Sequence, residues 1–410
     1  MLIFVIRQVL DVMKKLFDIL KLCAISVLVG VLGGIVSAAF AHLLSFVTEL
    51  RQSTPWLLIL LPLAAVMTTY LYRIFSMQDY GGANEIILCI ANRKPIRVMA
   101  APLIFVSGAI THLFGGSAGR EGAALQLGGA GTAWLCRGLR LTEEDRAVVV
   151  VSGMGAVFAG LFGAPLTATV FVLEFRAKPK MLGLSLFPCL IASVVAVKIS
   201  SVLGVAAEII PLGSIAAFTG PVVLKILVLA LGISLLGRMM CAVFHNAGHW
   251  AKCLLKNDYF RSALAAFAVV VLTAIVGDMR YNGSGMPMAV AAVEGKADWF
   301  DFLLKLIFTT LTLAAGLKGG EIVPTFCIGA TFGCVFGSIL GVDAGFFAAL
   351  GLVGLFCCAT NSPISGILLG VELFGLPALP YYILICLALW PISAKNGLFK
   401  NRIFRPIDSR

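Results

Sequence analysis

Gly115-Gly116-Ser117-Ala118-Gly119-Arg120-Glu121-Gly122-Ala123-Ala124-Leu125-Gln126-Leu127-Gly128-Gly129 is the stretch from which the fold is read. Glycines let other groups approach the backbone N–H groups closely, and the apolar run behind them predicts a helix. A helix start carries unpaired N–H groups and about half a positive charge, which together make an anion site. Glu121 stands at that start. One reading makes it a surface carboxylate favoured by the helix dipole and paired with Arg120. The other lets its carboxylate fill the anion site when no anion is there and leave on protonation, coupling anion passage to protons. An ionisable residue inside a membrane segment favours the second.

The surroundings are those of a membrane chain. Of 410 residues, 60% are apolar and 12% charged, against about 45–50% and about 25% in soluble domains. Mean hydropathy is +1.02. This composition excludes a soluble enzyme, a disordered scaffold and a secreted disulfide module. The net charge of +11 fits Lys- and Arg-rich cytoplasmic loops and implies no nucleic-acid partner. Eleven scattered cysteines without a CxxC pair argue against a disulfide framework or a zinc site. No metal and no cofactor is expected. Residues 1–18 mix basic and apolar residues (Arg7, Lys14, Lys15) and read as an interfacial cytoplasmic helix rather than a signal peptide.

Apolar runs fill the chain near 19–48, 56–76, 98–114, 122–137, 146–175, 182–205, 219–244, 262–277, 300–316, 322–358 and 364–392. Several are shorter than the roughly 20 residues of a full crossing. Others break at Gly163-Ala164-Pro165, Gly319-Gly320 and Asn361-Ser362-Pro363. Breaks at membrane depth are tolerated where backbone faces protein or a watery cavity, as in transporter sites. Charged loops at 93–97, 137–146, 176–180 and 252–261 and a basic C-terminal tail place both termini in the cytoplasm. These loops do not fit one side under a simple count of full crossings, which supports half-crossing helices.

The chain also repeats itself. Gly119, Glu121, Gly129 and Ala130 recur 200 residues later as Gly319, Glu321, Gly329 and Ala330. Phe158, Pro165 and Glu174 recur 198 residues later as Phe356, Pro363 and Glu372. Two membrane halves follow, 19–210 and 215–410, the second ending in a short tail. Their relative orientation is not legible from this match. The second half repeats the glycine-then-helix logic at Gly319-Gly320-Glu321-Ile322-Val323-Pro324, with Pro324 suited to a first turn. A third such segment, Tyr80-Gly81-Gly82-Ala83-Asn84-Glu85, is either an ordinary turn or a helix start capped by Gly82 or Asn84.

Three glycine-rich helix starts in this order resemble the CLC family of chloride channels and anion/proton antiporters, over residues 20–404. GREG at 119–122, followed by Gln126 and Gly128-Gly129, is the most specific part. The resemblance implies an all-α polytopic membrane protein of tilted and broken helices in an inverted internal repeat. It implies a homodimer of two independent pores, with the dimer surface near 164–203 and 362–392. It implies that Glu121 gates, and that backbone around Gly81, Gly82, Ala83, Asn84, Arg120, Gly122, Ile322 and Val323 lines the anion path, with Phe399 beside it.

The sequence departs from the chloride members of that family. Gly81 replaces the Ser of their first motif, Phe175 stands where antiporters carry an internal proton-transfer Glu, and Glu321 replaces an Ile. Phe399 stands where they carry Tyr. The first three departures resemble the fluoride/proton-antiporter branch, as does Thr111–Gly122. Val323, where that branch carries Thr, and Phe399 differ from it too. The hypothesis drawn from this chemistry is one-for-one exchange of outgoing fluoride for an incoming proton. In that scheme Glu121 gates and carries the proton, and Glu321 assists proton transfer or sets anion selectivity. Two buried carboxylates close together would titrate as a coupled pair. A chloride/proton antiporter and an uncoupled anion channel are the alternatives on the same fold. An intramembrane enzyme using Glu121 and Glu321 lacks any nucleophile, metal cluster or cofactor loop. A sensor would call for a long soluble domain, whereas 11 residues follow Phe399. The expected setting is a bacterial plasma (inner) membrane, and the expected partners are fluoride or chloride, protons, lipid and a second copy of the chain.

Weaker signals have plain readings. His245 and His249, four residues apart, read as a solvated loop or helix end, and His112 as a packed, hydrogen-bonded histidine. Phe326, Phe332, Phe336, Phe346 and Phe347 read as lipid-facing or packing residues. Asp278 and Glu294 read as solvated or ion-paired, and Glu174 and Glu372 as helix caps or partners of Arg176 and Lys395.

Overall fold

The computed structural model describes residues 2–174, 182–393 and 397–399. Phe175, the loop 176–180 and the tail beyond 399 lie outside the described residues. The described chain forms sixteen α-helices: α1 (Leu2–Ser53), α2 (Leu61–Ile74), α3 (Ala83–Ala91), α4 (Ala100–Leu113), α5 (Glu121–Leu135), α6 (Glu143–Phe162), α7 (Pro165–Glu174), α8 (Leu182–Val202), α9 (Gly220–Leu254), α10 (Asp258–Val276), α11 (Met286–Val293), α12 (Asp301–Ala314), α13 (Ile322–Leu340), α14 (Ala344–Thr360), α15 (Pro363–Phe374) and α16 (Leu379–Leu389). Among the described residues there is no strand, and one isolated antiparallel bridge joins Gly119 to Gly320.

Among the described residues, seven helical stretches are long and apolar enough to cross a bilayer; α3, α7, α11 and α15 are far shorter. The half-crossing helices expected from the breaks are therefore present. The 146–175 run divides into α6 and α7, and 322–358 into α13 and α14. Helix α1 continues without interruption past residue 18, and its crossing stretch begins at Ile19. At 52 residues it is about 78 Å long, more than twice the roughly 30 Å hydrocarbon core. On α10, Phe260, Leu264, Phe267, Val271 and Ile275 make an exposed apolar stripe at helical spacing, as a lipid-facing helix requires. In contrast, α14 is buried from Gly345 to Thr360 and forms the centre.

Small residues bring the central helices together. In the first half α5 lies against α6, where a Cβ on Gly128 would stand 2.1 Å from the Gly153 carbonyl oxygen. In the second half α13 lies against α14, where a Cβ on Gly351 would stand 2.1 Å from the Gly329 carbonyl oxygen. The two halves thus use the same close helix–helix contact.

Glu174 and Glu372, the repeat-related acids, fix the orientation of the halves. Glu372 accepts hydrogen bonds from the N–H groups of Leu166 and Thr167 at the start of α7 (2.8 and 2.7 Å). Glu174 accepts from Ile364 and Ser365 at the start of α15 (3.2 and 3.4 Å), and from the Ser365 hydroxyl. Each short helix therefore ends in the carboxylate that caps the other's start, so α7 and α15 run antiparallel. Both acids cap helix starts, as one of their two readings had it, while Arg176 and Lys395 lie outside the described residues; the repeat is inverted.

Candidate functional site

Three of the four expected glycine and C-terminal segments meet at α5. Helix α5 begins at Glu121, and Gly119 exchanges two backbone hydrogen bonds with Gly320 (2.7 and 2.6 Å). A Cβ on Gly122 would lie 2.8 Å from Gly320 Cα and 3.7 Å from the Glu321 nitrogen. The starts of α5 and α13, related by the repeat, are thus back to back. A Cβ on Gly82 would stand 3.6 Å from Gln126 Nε2 of α5, and Gly82 caps α3 with φ +65°, a conformation that favours glycine. The segment at 80–85 is therefore a helix start and not an ordinary turn, and Gly82 rather than the Asn84 side chain stands at the cap. Asn84 donates instead to the Leu398 carbonyl (3.0 Å), drawing the C-terminal segment to α3. Phe399 is buried and packs edge-on against Phe171 with ring centroids 5.8 Å apart.

Glu121 is 1% exposed, which excludes the surface reading, although its pairing with Arg120 is present. Its carboxylate turns back on its own helix start, accepting from the Arg120 N–H (3.0 Å) and from Arg120 Nε (3.3 Å). Gly119 makes room for it: a Cβ there would stand 2.9 Å from Glu121 Oε2 and 3.0 Å from Val323 Cβ. The carboxylate borders a recess of about 300 Å³ that also includes Glu49, His112, Arg120, Glu208, Ser284 and Val323. An ionisable group that ends on backbone N–H donors at the wall of such a recess competes with any anion for the same donors.

A carboxylate that the sequence did not single out, Glu208, also lines the recess. Arg120 also bonds Glu208 through Nη2, so one guanidinium joins Glu121 and Glu208. Glu321 sits at the cap position of α13 and outside the lining of the recess. Its backbone neighbours that of α5, yet its side chain does not share Arg120. Glu208, a lone acid in an irregular stretch, carries no local sequence signal. The segment Tyr281-Asn282-Gly283-Ser284-Gly285-Met286 is a further glycine-rich helix start, outside the three that the sequence reading names. It starts α11 from Gly285 at φ +86°, as Gly82 starts α3. Its signal in sequence is the pair of glycines ahead of a short apolar run, as at Gly81-Gly82.

The weaker signals resolve simply. His112 is buried, its Nδ1 2.9 Å from the Gly108 carbonyl oxygen. His245 and His249 lie in the last turns of α9. Asp278 pairs with Arg280 (3.1 Å) and Glu294 with Lys296 (3.1 Å). Phe326, Phe346 and Phe347 are buried packing residues. Phe326 belongs to an aromatic chain running Phe162–Phe326–Phe356–Phe171–Phe399, with centroid separations of 5.6, 5.5, 5.1 and 5.8 Å.

This architecture has known counterparts. The family profile described as voltage gated chloride channel matches residues 63–390. A chloride/fluoride channel protein of Pseudomonas syringae pv. tomato is 32% identical over 390 residues, covering 93% of this chain and 86% of that protein. The H(+)/Cl(-) exchange transporter ClcA of Vibrio cholerae is 29% identical over 407 residues, covering 90% and 84%. The crystal structure of a CLC-type fluoride/proton antiporter superposes with a TM-score of 0.89 at 32% identity, over 94% of this chain and 98% of that one. A slow cyanobacterial Cl−/H+ antiporter shares the fold at 17% identity, with a TM-score of 0.75 over 91% and 94%. The chain, an inverted repeat of broken helices built around glycine-rich helix starts, belongs to the voltage-gated chloride channel (CLC) family of membrane anion transporters and channels.

Proposed function

We propose that this protein exports fluoride in exchange for protons across a bacterial plasma membrane, with Glu121 as the gate and proton carrier. The observation that carries this reading is the Glu121 carboxylate folded onto the Arg120 N–H at the start of α5, at the wall of the recess. Ionised, it holds the donors an anion would use. Protonated, it releases them and takes a proton with it. Fluoride is small and strongly hydrated, so a site must replace its shell with strong donors. Backbone N–H groups around Gly81, Gly82, Ala83, Asn84, Gly122, Ile322 and Val323 are such donors, and a protonated carboxyl donates more strongly still. Glu321 fits the second role at the start of α13, and Phe399 closes the path on the side of α7.

The 32% identity to a chloride/fluoride channel protein and to a fluoride/proton antiporter supports fluoride as the anion, as does Gly81 in place of a hydroxyl. Exposed apolar side chains on α8, α15 and α16, among them Phe187, Ile364 and Leu387, suit a homodimer surface. Both termini are assigned to the cytoplasm. The test is efflux from liposomes loaded with fluoride or with chloride. Fluoride is expected to leave faster by about tenfold or more, the scale of one good polar contact. Equal rates would overturn the fluoride assignment. Glu321→Ala is expected to lower fluoride throughput or the preference over chloride; unchanged transport would return Glu321 to a structural role.

A further inference from the structure

Behind the glycine loop stands an ammonium that the exchange scheme does not use. Lys305, in the middle of α12, is fully buried. Its Nζ donates to three oxygens: Ser117 Oγ at 2.9 Å, the Tyr281 carbonyl at 3.0 Å and the Gly283 carbonyl at 2.8 Å. An ammonium has three protons to give, and all three are placed. Lys305 takes part in none of the ion pairs among the described residues. Asp301, four residues earlier on α12, bonds Tyr281 Oη (2.5 Å) and Arg280 (3.0 Å) instead. A charge buried without a counter-charge is costly, and the three oxygens are what offset that cost here.

The cage joins two loops. Ser117 is held further by Thr309 (Oγ–Oγ1 3.0 Å) and by Thr312, whose Oγ1 accepts from the Ser117 N–H (2.9 Å). Gly283 donates to the Gly116 carbonyl (3.0 Å), and Asn282 to the Gly115 carbonyl (2.8 Å). Ser117 is two residues from Gly119 and three from Arg120, whose N–H holds the Glu121 carboxylate. Arg51, 5% exposed, adds a second buried cation, bonding the His112 carbonyl (3.0 Å) beside Gly283.

We propose that Lys305 is a positioning and affinity-setting residue of the anion site. Its ammonium takes the place of a bound monovalent cation, clamps the loop carrying Gly119 and Arg120 to the 281–285 loop, and supplies fixed positive charge behind the path. This rests on the reading of residues 119–122 as the anion site, and not on which halide is carried.

The test uses full-length protein in liposomes, with each halide in turn. Lys305→Ala is expected to raise the half-saturating anion concentration on the order of tenfold, the scale of one lost charge-assisted bond, with saturating turnover nearly kept. Added n-propylammonium, which restores both volume and charge, is expected to recover the wild-type value; n-propanol, which restores volume alone, is not. Wild-type half-saturation in Lys305→Ala, or equal rescue by propanol, would overturn the proposal and leave Lys305 as a space filler. If Lys305→Ala does not fold, Ser117→Ala removes one wall of the cage. It should shift half-saturation in the same direction, and an unchanged value would overturn the proposal. Transport of chloride in place of fluoride would sink the fluoride assignment while the Lys305 comparison proceeds on chloride.

Discussion

Glu121→Gln is expected to reduce proton movement coupled to anion flow to background, a loss of at least about 100-fold, the scale of removing a proton-transfer group. Gln matches Glu in size, so the packing around the 1% exposed side chain is kept. It neither ionises nor carries a proton. It also cannot match both contacts to Arg120, because the carboxylate accepts at both oxygens and an amide accepts at one. The uncharged side chain no longer competes fully for the Arg120 N–H, so residual anion flow should be passive. Simultaneous recording with an anion electrode and a pH electrode on liposomes separates the two flows. Uphill proton transport by Glu121→Gln would remove Glu121 from the coupling role.

The second large effect is expected from Gly320→Ala. A Cβ at Gly320 would stand 2.5 Å from the Gly122 nitrogen, 3.1 Å from Gly122 Cα and 3.2 Å from the Glu121 nitrogen. All three are backbone atoms at the start of α5, so no flexible side chain can yield. The loop must separate from α5, breaking the Gly119–Gly320 bridge and moving the N–H groups proposed to bind the anion. Loss of transport by about 100-fold is expected, since displacement of a site by about 1 Å has consequences on that scale. Gly131→Ala is the control, because a Cβ there meets nothing within 4 Å. It should transport as wild type. Full transport by Gly320→Ala would show that the back-to-back helix starts do not shape the path.

The parts of this architecture legible in sequence are those written locally. Glycines before apolar runs mark the starts of α5 and α13, because the backbone approach they permit is a local property. Pro165 and Pro363 mark α7 and α15 for the same reason. The equal spacing of Glu174 and Glu372 from those prolines announced the repeat, but not its direction. Direction appears only when each carboxylate is found on the other helix's N–H groups, a relation across some 190 to 206 positions. Glu208 was hidden likewise. Nothing near it in sequence marks it, and its role comes from Arg120, 88 positions away. Lys305 carries no local signal either, since the three oxygens around its ammonium come from residues 117, 281 and 283. Glu121 and Glu321, expected as a coupled pair, stand at neighbouring helix starts. The repeat puts their backbones together, but only Glu121 lines the recess and bonds Arg120, in the space that Gly119 leaves open.

The most direct test of proton-coupled fluoride export is made on wild-type protein in liposomes loaded with fluoride and held at equal pH inside and out. Outward fluoride flow is predicted to draw protons inward, acidifying the lumen, and to keep doing so against a modest opposing pH gradient. Fluoride flow that leaves the lumenal pH unchanged would contradict the account and make the protein an uncoupled channel.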